Sequence, residues 1–138
     1  MTFGSVRHSR QIAAPADTVW ALVGDPSRLT EWFPGITECT VDGDRRTVRL
    51  AMGLMFPEQI TVCDAVQRRF QYRITSEFFT YHCSTLDVLE LDHDRCLVTY
   101  AADADPRTMA LVIAGAAAEG LDAVARRFGD DTSGKGPS

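Results

Sequence analysis

The chain has 138 residues, enough for one domain that buries about two-thirds of the surface its unfolded form exposes, so it needs no disulfide or metal staple. With 45% hydrophobic and 24% charged residues the balance is that of a globular protein, and a formal net charge of −5 argues against nucleic acid, which requires a basic stripe to displace counterions. The apolar runs fall short of the roughly 18 residues of a membrane span, and residues 1–12 lack the basic start and apolar stretch of a secretory signal, so no integral membrane association and a cytoplasmic location are expected.

Residues 6–12 read as a strand. Pro15 suits the first position of a helix, where its missing N–H would be an orphan anyway, and Asp17 in the first turn complements the helix dipole. Val19, Leu22 and Val23 give that helix an apolar face. Asp25-Pro26 interrupts it, and a second short helix over residues 27–32 runs out at Phe33-Pro34-Gly35. Strands are expected over 37–41 and 47–52, on either side of the turn signal Asp42-Gly43-Asp44, and then over 59–63, 70–75, 81–89 and 96–102, with the last two joined at Asp92-His93-Asp94. Phe70, Tyr72 and Ile74 alternate with Gln71, Arg73 and Thr75, the period of a half-buried antiparallel strand.

The clearest helix comes last. Asp105 is placed to cap it and Pro106 to occupy its first position. Met109, Ile113, Ala116, Ala117, Gly120, Leu121, Val124 and Phe128 mark one face at helical spacing. Gly129 ends it, with Arg126 and Arg127 at the negative end of the dipole. Residues 130–138 are rich in Asp, Gly and Ser and are expected to form a disordered tail, which leaves 1–129 as a single domain.

A helix of this length that follows a six- or seven-stranded sheet must bury its stripe against that sheet. The stripe is uneven: bulky at Leu121, Val124 and Phe128, small through Ala114-Gly115-Ala116-Ala117-Ala118. Small side chains over a curved sheet either leave volume for a small molecule or are met by large sheet residues such as Phe70 and Tyr72, and periodicity does not choose between the two. Cys39, Cys63, Cys83 and Cys96 have no metal-ligand or redox spacing and read as reduced thiols inside strands. The doublets Arg45-Arg46, Arg68-Arg69 and Arg126-Arg127 read as solvated turns or helix ends.

The run Ile12-Ala13-Ala14-Pro15-Ala16-Asp17-Thr18-Val19-Trp20-Ala21-Leu22-Val23-Gly24-Asp25-Pro26, then Leu29 and Glu31-Trp32-Phe33-Pro34-Gly35-Ile36, resembles the opening of the polyketide cyclase/dehydrase branch of the START-like (Bet v 1-like, SRPBCC) superfamily. Glu58, Asp64, Arg68-Arg69, the alternation of Phe70, Tyr72 and Ile74, Tyr81, Val98-Thr99-Tyr100 and the final helix extend the likeness over about residues 6–128. The resemblance implies an α+β helix-grip fold: a seven-stranded antiparallel sheet wrapped around the long C-terminal helix, two short helices after the first strand, and a deep pocket between sheet and helix. It also implies that Trp32, Phe33, Met52, Leu54, Met55 and Phe56 border the pocket mouth, where soft methionines suit an adaptable gate.

Glu58 shares the parity of Ile60 and Val62, so it either faces inward, where an apolar wall would raise its pKa for proton transfer, or pairs with an arginine at a solvated strand end. Tyr72, Tyr81 and Tyr100 offer hydroxyls for a ligand carbonyl or phenol. His82 is the histidine best placed for acid–base work, but Tyr81 and His82 point to opposite faces of one strand and the period does not decide which looks inward. Leu50, Ile74, Met109, Ile113 and Ala117 complete the expected lining. The sequence has no phosphate-binding loop or hydrolase signature, so no metal or organic cofactor is expected. The leading expectation is a monomer or homodimer that binds a hydrophobic or aromatic small molecule, a lipid or polyketide-like compound. The alternative is a polyketide cyclase or dehydratase in which Glu58, Tyr72 or His82 shuttles protons.

Overall fold

The computed structural model describes residues 3–129, so the tail expected at 130–138 lies outside the described residues. Seven strands, β1 (Gly4–Ile12), β2 (Ile36–Asp42), β3 (Arg45–Leu50), β4 (Met55–Asp64), β5 (Arg69–Ile74), β6 (Tyr81–Asp92) and β7 (Arg95–Asp105), form one antiparallel sheet in the order β1-β7-β6-β5-β4-β3-β2. From β2 to β7 each strand pairs with the next along the chain. The exception is β1, which closes onto β7, and the chain then crosses to the far edge through helix α1 (Ala16–Val23) and a 3₁₀ helix (Pro26–Glu31). Helix α2 (Arg107–Arg127) lies over β1 and β7. This is the helix-grip α+β architecture.

The sequence explains why the sheet curls around α2. β6 and β7 alternate strictly, with His82, Ser84, Leu86 and Val88 of one strand and Cys96, Val98, Tyr100, Ala102 and Ala104 of the other buried on the helix side. Register shifts between Ile36 and Glu38, Ile60 and Val62, and Glu90 and Asp92 supply the irregularities that bend long strands. Ala102 and Ala104 leave room for Ala110 and Ala114 of α2, so helix and sheet approach closely at this end. Gly4 belongs to the same contact: a Cβ there would lie 2.5 Å from the Arg107 carbonyl oxygen, so only glycine lets β1 pass under the start of α2.

Four local expectations need correction. Asp105 does not cap α2; it ends β7, its carbonyl accepts the Thr80 N–H at 2.7 Å, and no side chain caps the helix. Pro15 sits just before α1 instead of in its first turn. β3 ends at Leu50 and β4 begins at Met55, so Met55, Phe56 and Glu58 are strand residues, and the loop contracts to a turn around Gly53 with φ 97°. The buried face of α2 is Ala110, Ala114, Ala117, Gly120, Leu121, Val124 and Ala125, while Met109, Ile113 and Ala116 are only partly covered. By length and composition alone α2 is also apolar enough to cross a membrane, a property it shares with helices packed in a protein core, and here its buried face lies on the sheet.

Candidate functional site

A cavity of about 360 Å³ lies between the sheet and the first half of α2. Met109, Val112, Ile113 and Ala116 form its helix wall; Val48, Leu50, Phe56, Glu58, Tyr72 and Ile74 form its sheet wall. Leu29, Phe33, Pro34 and Ile36 close one end after the 3₁₀ helix, and Met52, Leu54 and Phe79 come from the connecting turns. The wall is overwhelmingly apolar. Its rim leaves Met52 77%, Val112 62% and Leu54 44% exposed, so the cavity has a mouth edged by large apolar side chains.

Below the sheet wall is a buried ion pair. Arg46 and Glu58 face each other across β3 and β4, with Arg46 Nε donating to Glu58 Oε1 at 2.7 Å and Nη2 at 2.6 Å from the same oxygen. Their side chains are 2% and 4% exposed, so Arg46 is a core residue and not the solvated turn expected of its doublet. The guanidinium also lies 5.1 Å from the Phe70 ring centre and 5.0 Å from that of Tyr72, and Nη1 donates to the Pro26 carbonyl at 3.2 Å. Burial pushes the Glu58 carboxyl above its ordinary value, with Arg46 pulling it back. Glu58 therefore lines the cavity, and the arginine it pairs with is buried beside it instead of standing at a solvated strand end.

A second polar group runs from β7 to β5. The Tyr72 and Tyr100 hydroxyls hydrogen-bond each other. His82 Nε2 lies 2.7 Å from Ser84 Oγ, and His82 Nδ1 accepts the Ile74 backbone N–H at 2.8 Å. Burial, then the charge of Arg73, lowers the His82 pKa to about 4, so the ring is neutral near pH 7. Burial raises the Tyr100 phenol to about 12 and that of Tyr72 well above its ordinary value, so both stay protonated.

Of the expected site residues, the cavity gathers Phe33, Leu50, Met52, Phe56, Glu58, Tyr72, Ile74, Met109 and Ile113. It does not gather the rest. His82 is the inward residue of its pair and is buried, but it stands behind Tyr72 at 5.4 Å between ring centres and is not part of the wall. Tyr81 faces the other side of the sheet, where it stacks on Phe3 at 5.1 Å. Tyr100 is covered by Phe33 and reaches the cavity only through Tyr72. Met55 points outward beside Arg49, since strand alternation sends Phe56 inward. Ala117 is fully buried against the core, and its neighbour Ala116 takes the lining position. Trp32 packs beside Phe33 and over Gly120, where a Cβ would come 3.1 Å from the indole; it borders a separate outer groove. Sequence reasoning missed Val48, which shares the parity of Leu50, and Phe79 and Val112, which carry no periodic signal. Among the described residues no group of three or more His, Cys, Asp or Glu side chains could hold a metal ion.

Comparison with known proteins agrees with this architecture. The structure resembles the protein XoxI from Bacillus cereus (TM-score 0.84, 23% identity, covering 91% of this chain and 95% of the other). It is similar to a Thermobifida fusca protein solved in solution (TM-score 0.77, 29% identity, 91% and 93% covered). It also resembles the ZhuI aromatase/cyclase from Streptomyces sp. R1128 (TM-score 0.76, 18% identity, 99% and 100% covered), a likeness of fold alone. No curated protein matches the chain in sequence. The family described as polyketide cyclase / dehydrase and lipid transport matches residues 4–129, nearly the whole described domain. The chain belongs to that family.

Proposed function

We propose that this protein binds a hydrophobic or aromatic small molecule, lipid or polyketide-like in character, in the cavity between sheet and α2. The observation that carries the reading is an apolar cavity of about 360 Å³ interrupted by few polar groups, the general form of a small-molecule site. That volume is at the small end of ligand pockets, which span about 300–1,000 Å³, and favours a compact ligand over a two-chain lipid. The exposed apolar rim of Met52, Leu54 and Val112 supports access from that side.

A second reading, cyclase or dehydratase chemistry, is favoured by one observation: a carboxylate and a phenol, Glu58 and Tyr72, line the same cavity. Two polar groups on one wall are the minimum for moving a proton on a bound carbonyl compound. His82 is not part of the wall and both its ring nitrogens are already bonded, so it would not meet a ligand directly.

Native mass spectrometry of the purified protein, followed by a denatured run to identify released molecules, tests both readings. A stoichiometric apolar adduct is expected, and it should disappear in Ala116→Trp, which fills the cavity from the helix side while leaving the packed face of α2 intact. Chemical change of the adduct on incubation, lost in Glu58→Gln, would favour the enzyme. An apo mass with no thermal shift across fatty acids and aromatic polyketides would overturn both.

A further inference from the structure

The buried ion pair is lopsided. Arg46 Nε and Nη2 lie 2.7 and 2.6 Å from the same carboxylate oxygen, Glu58 Oε1. The guanidinium is held there by the Pro26 carbonyl on Nη1 and by the rings of Phe70 and Tyr72. Glu58 Oε2 accepts no hydrogen bond from any described residue. It is not sealed among protein atoms either, since among the described residues the buried side-chain atom without a partner is the Trp32 indole Nε1. Glu58 is 5% exposed and lines the cavity, so the surface that Oε2 keeps opens on that volume. The pair also fixes its charge. A guanidinium is charged at every working pH, and a neutral Glu58 would leave Arg46 buried without a counter-charge. Glu58 is therefore a carboxylate, which accepts hydrogen bonds and gives none.

We propose that Glu58 Oε2 is the acceptor by which the cavity recognises its ligand, and that the ligand is a compact, uncharged apolar molecule bearing a hydroxyl group that donates to it. This rests on the ligand-binding reading above and narrows its ligand class to phenols and alcohols. A carboxylate oxygen taken out of water needs a donor, and the wall supplies none. Tyr72, the other polar side chain of the lining, has the Tyr100 hydroxyl as its partner and makes no hydrogen bond to Glu58. Charge on the ligand is disfavoured in both senses. An anion would meet Glu58 itself, and a cation would gain little from a carboxylate that Arg46 already neutralises while standing close to the guanidinium. Around the hydroxyl, Phe56, Ile74, Met109 and Ile113 offer apolar contact to the rest of the molecule.

Three probes of one shape, 1-naphthol, its methyl ether and naphthalene, separate the parts of the claim when binding is measured by calorimetry. In the native protein 1-naphthol should bind about 10- to 100-fold tighter than the other two, the worth of a hydrogen bond to a charged group. Infrared difference spectra should show a carboxylate stretch that moves when 1-naphthol binds and stays when the ether binds. Glu58 is the carboxylate of the described lining, so this reading needs no variant. Arg46→Met with Glu58→Leu, which removes the acceptor together with its counter-ion, should abolish the preference for 1-naphthol; should that variant fail to fold, the infrared result decides. 1-Naphthoate and 1-naphthylmethylammonium should both bind the native protein more weakly than 1-naphthol, and an ammonium that binds as tightly would overturn the uncharged ligand class. If naphthalene and the ether bind as tightly as 1-naphthol, or the carboxylate stretch does not move, the Glu58 assignment is wrong and the cavity reading stands. If no probe binds the native protein, the ligand-binding reading itself falls, and this inference with it.

Discussion

The two halves of α2 meet the same sheet and treat it differently. Toward the C-terminal end, Leu121, Val124 and Ala125 join Ile12, Val19, Leu22, Val23 and Trp32 in one continuous apolar cluster, closed from outside by α1 and the 3₁₀ helix. Toward the N-terminal end the buried contact of α2 is Ala110 against Ala104 and Phe79, while Met109 and Ile113 pack only partly against that small cluster and, with Ala116, line open volume. Buried charge follows the same division, since Arg46 and Glu58 lie under the open half. The difference teaches that the helix-grip fold is held at one end and leaves the other free to specialise. A domain with one well-packed end can tolerate a cavity and a desolvated ion pair at the other.

The largest expected effect comes from breaking the ion pair on the open side. Arg46→Met leaves Glu58 buried without its partner and should cost about 3–5 kcal/mol in urea unfolding, whereas the double replacement Arg46→Met with Glu58→Leu should recover most of the loss. Equal instability of single and double variants would show that the pair is not what holds this end.

The contrast between the ends is sharpened by two truncations on α2. Leu121→Ala opens a hole in the packed half and should cost about 2–5 kcal/mol. Ile113→Ala only widens volume that is already open and should cost about 1 kcal/mol. Similar losses at the two positions would mean that the cavity closes up in solution.

Acid should act on the open half. His82 is 1% exposed and its folded pKa lies near 4 against an ordinary 6.5, so between those values the unfolded chain binds the extra proton. Stability is then full above about pH 6.5 and falls as the pH drops toward 4, by up to about 3 kcal/mol. Glu58, raised by burial, titrates in the opposite sense, so the imidazole's share is read as the difference in slope between the native protein and His82→Gln. No difference in slope would place His82 in a wetter setting than its burial implies.

Much of the fold was legible in the sequence because strands and helices announce themselves by period. Phe70, Tyr72 and Ile74 alternate as expected, and Ala117, Gly120, Leu121 and Val124 of the expected stripe do lie on the packed face of α2. Errors arose at a strand boundary and at a charged residue. The strand expected at 59–63 begins four residues earlier, at Met55, so Met55 and Phe56 belong to β4 and not to the loop before it. Arg46 reads as a surface charge, and only the β3–β4 register, which sets it opposite Glu58, reveals its partner. The site was harder to read. Tyr72 and Tyr100 are far apart along the chain and His82 and Ser84 are singly unremarkable, and the hydrogen bond within each pair depends on distances that a period of two does not contain.

The hydrogen bond from Ile74 to His82 has a consequence for the sheet itself. Pairing of β5 with β6 runs from Arg69 opposite Asp87 to Tyr72 opposite Ser84 and stops there. One step further, the Ile74 amide is answered by an imidazole and the His82 carbonyl by the Arg73 guanidinium at 3.1 Å, so two side chains stand where the main chain would have bonded to itself. A carbonyl accepts at any pH; an imidazole accepts only while it is neutral. At this one seam the continuity of the sheet is therefore a titratable property, and the seam ends beside the residues that wall the cavity.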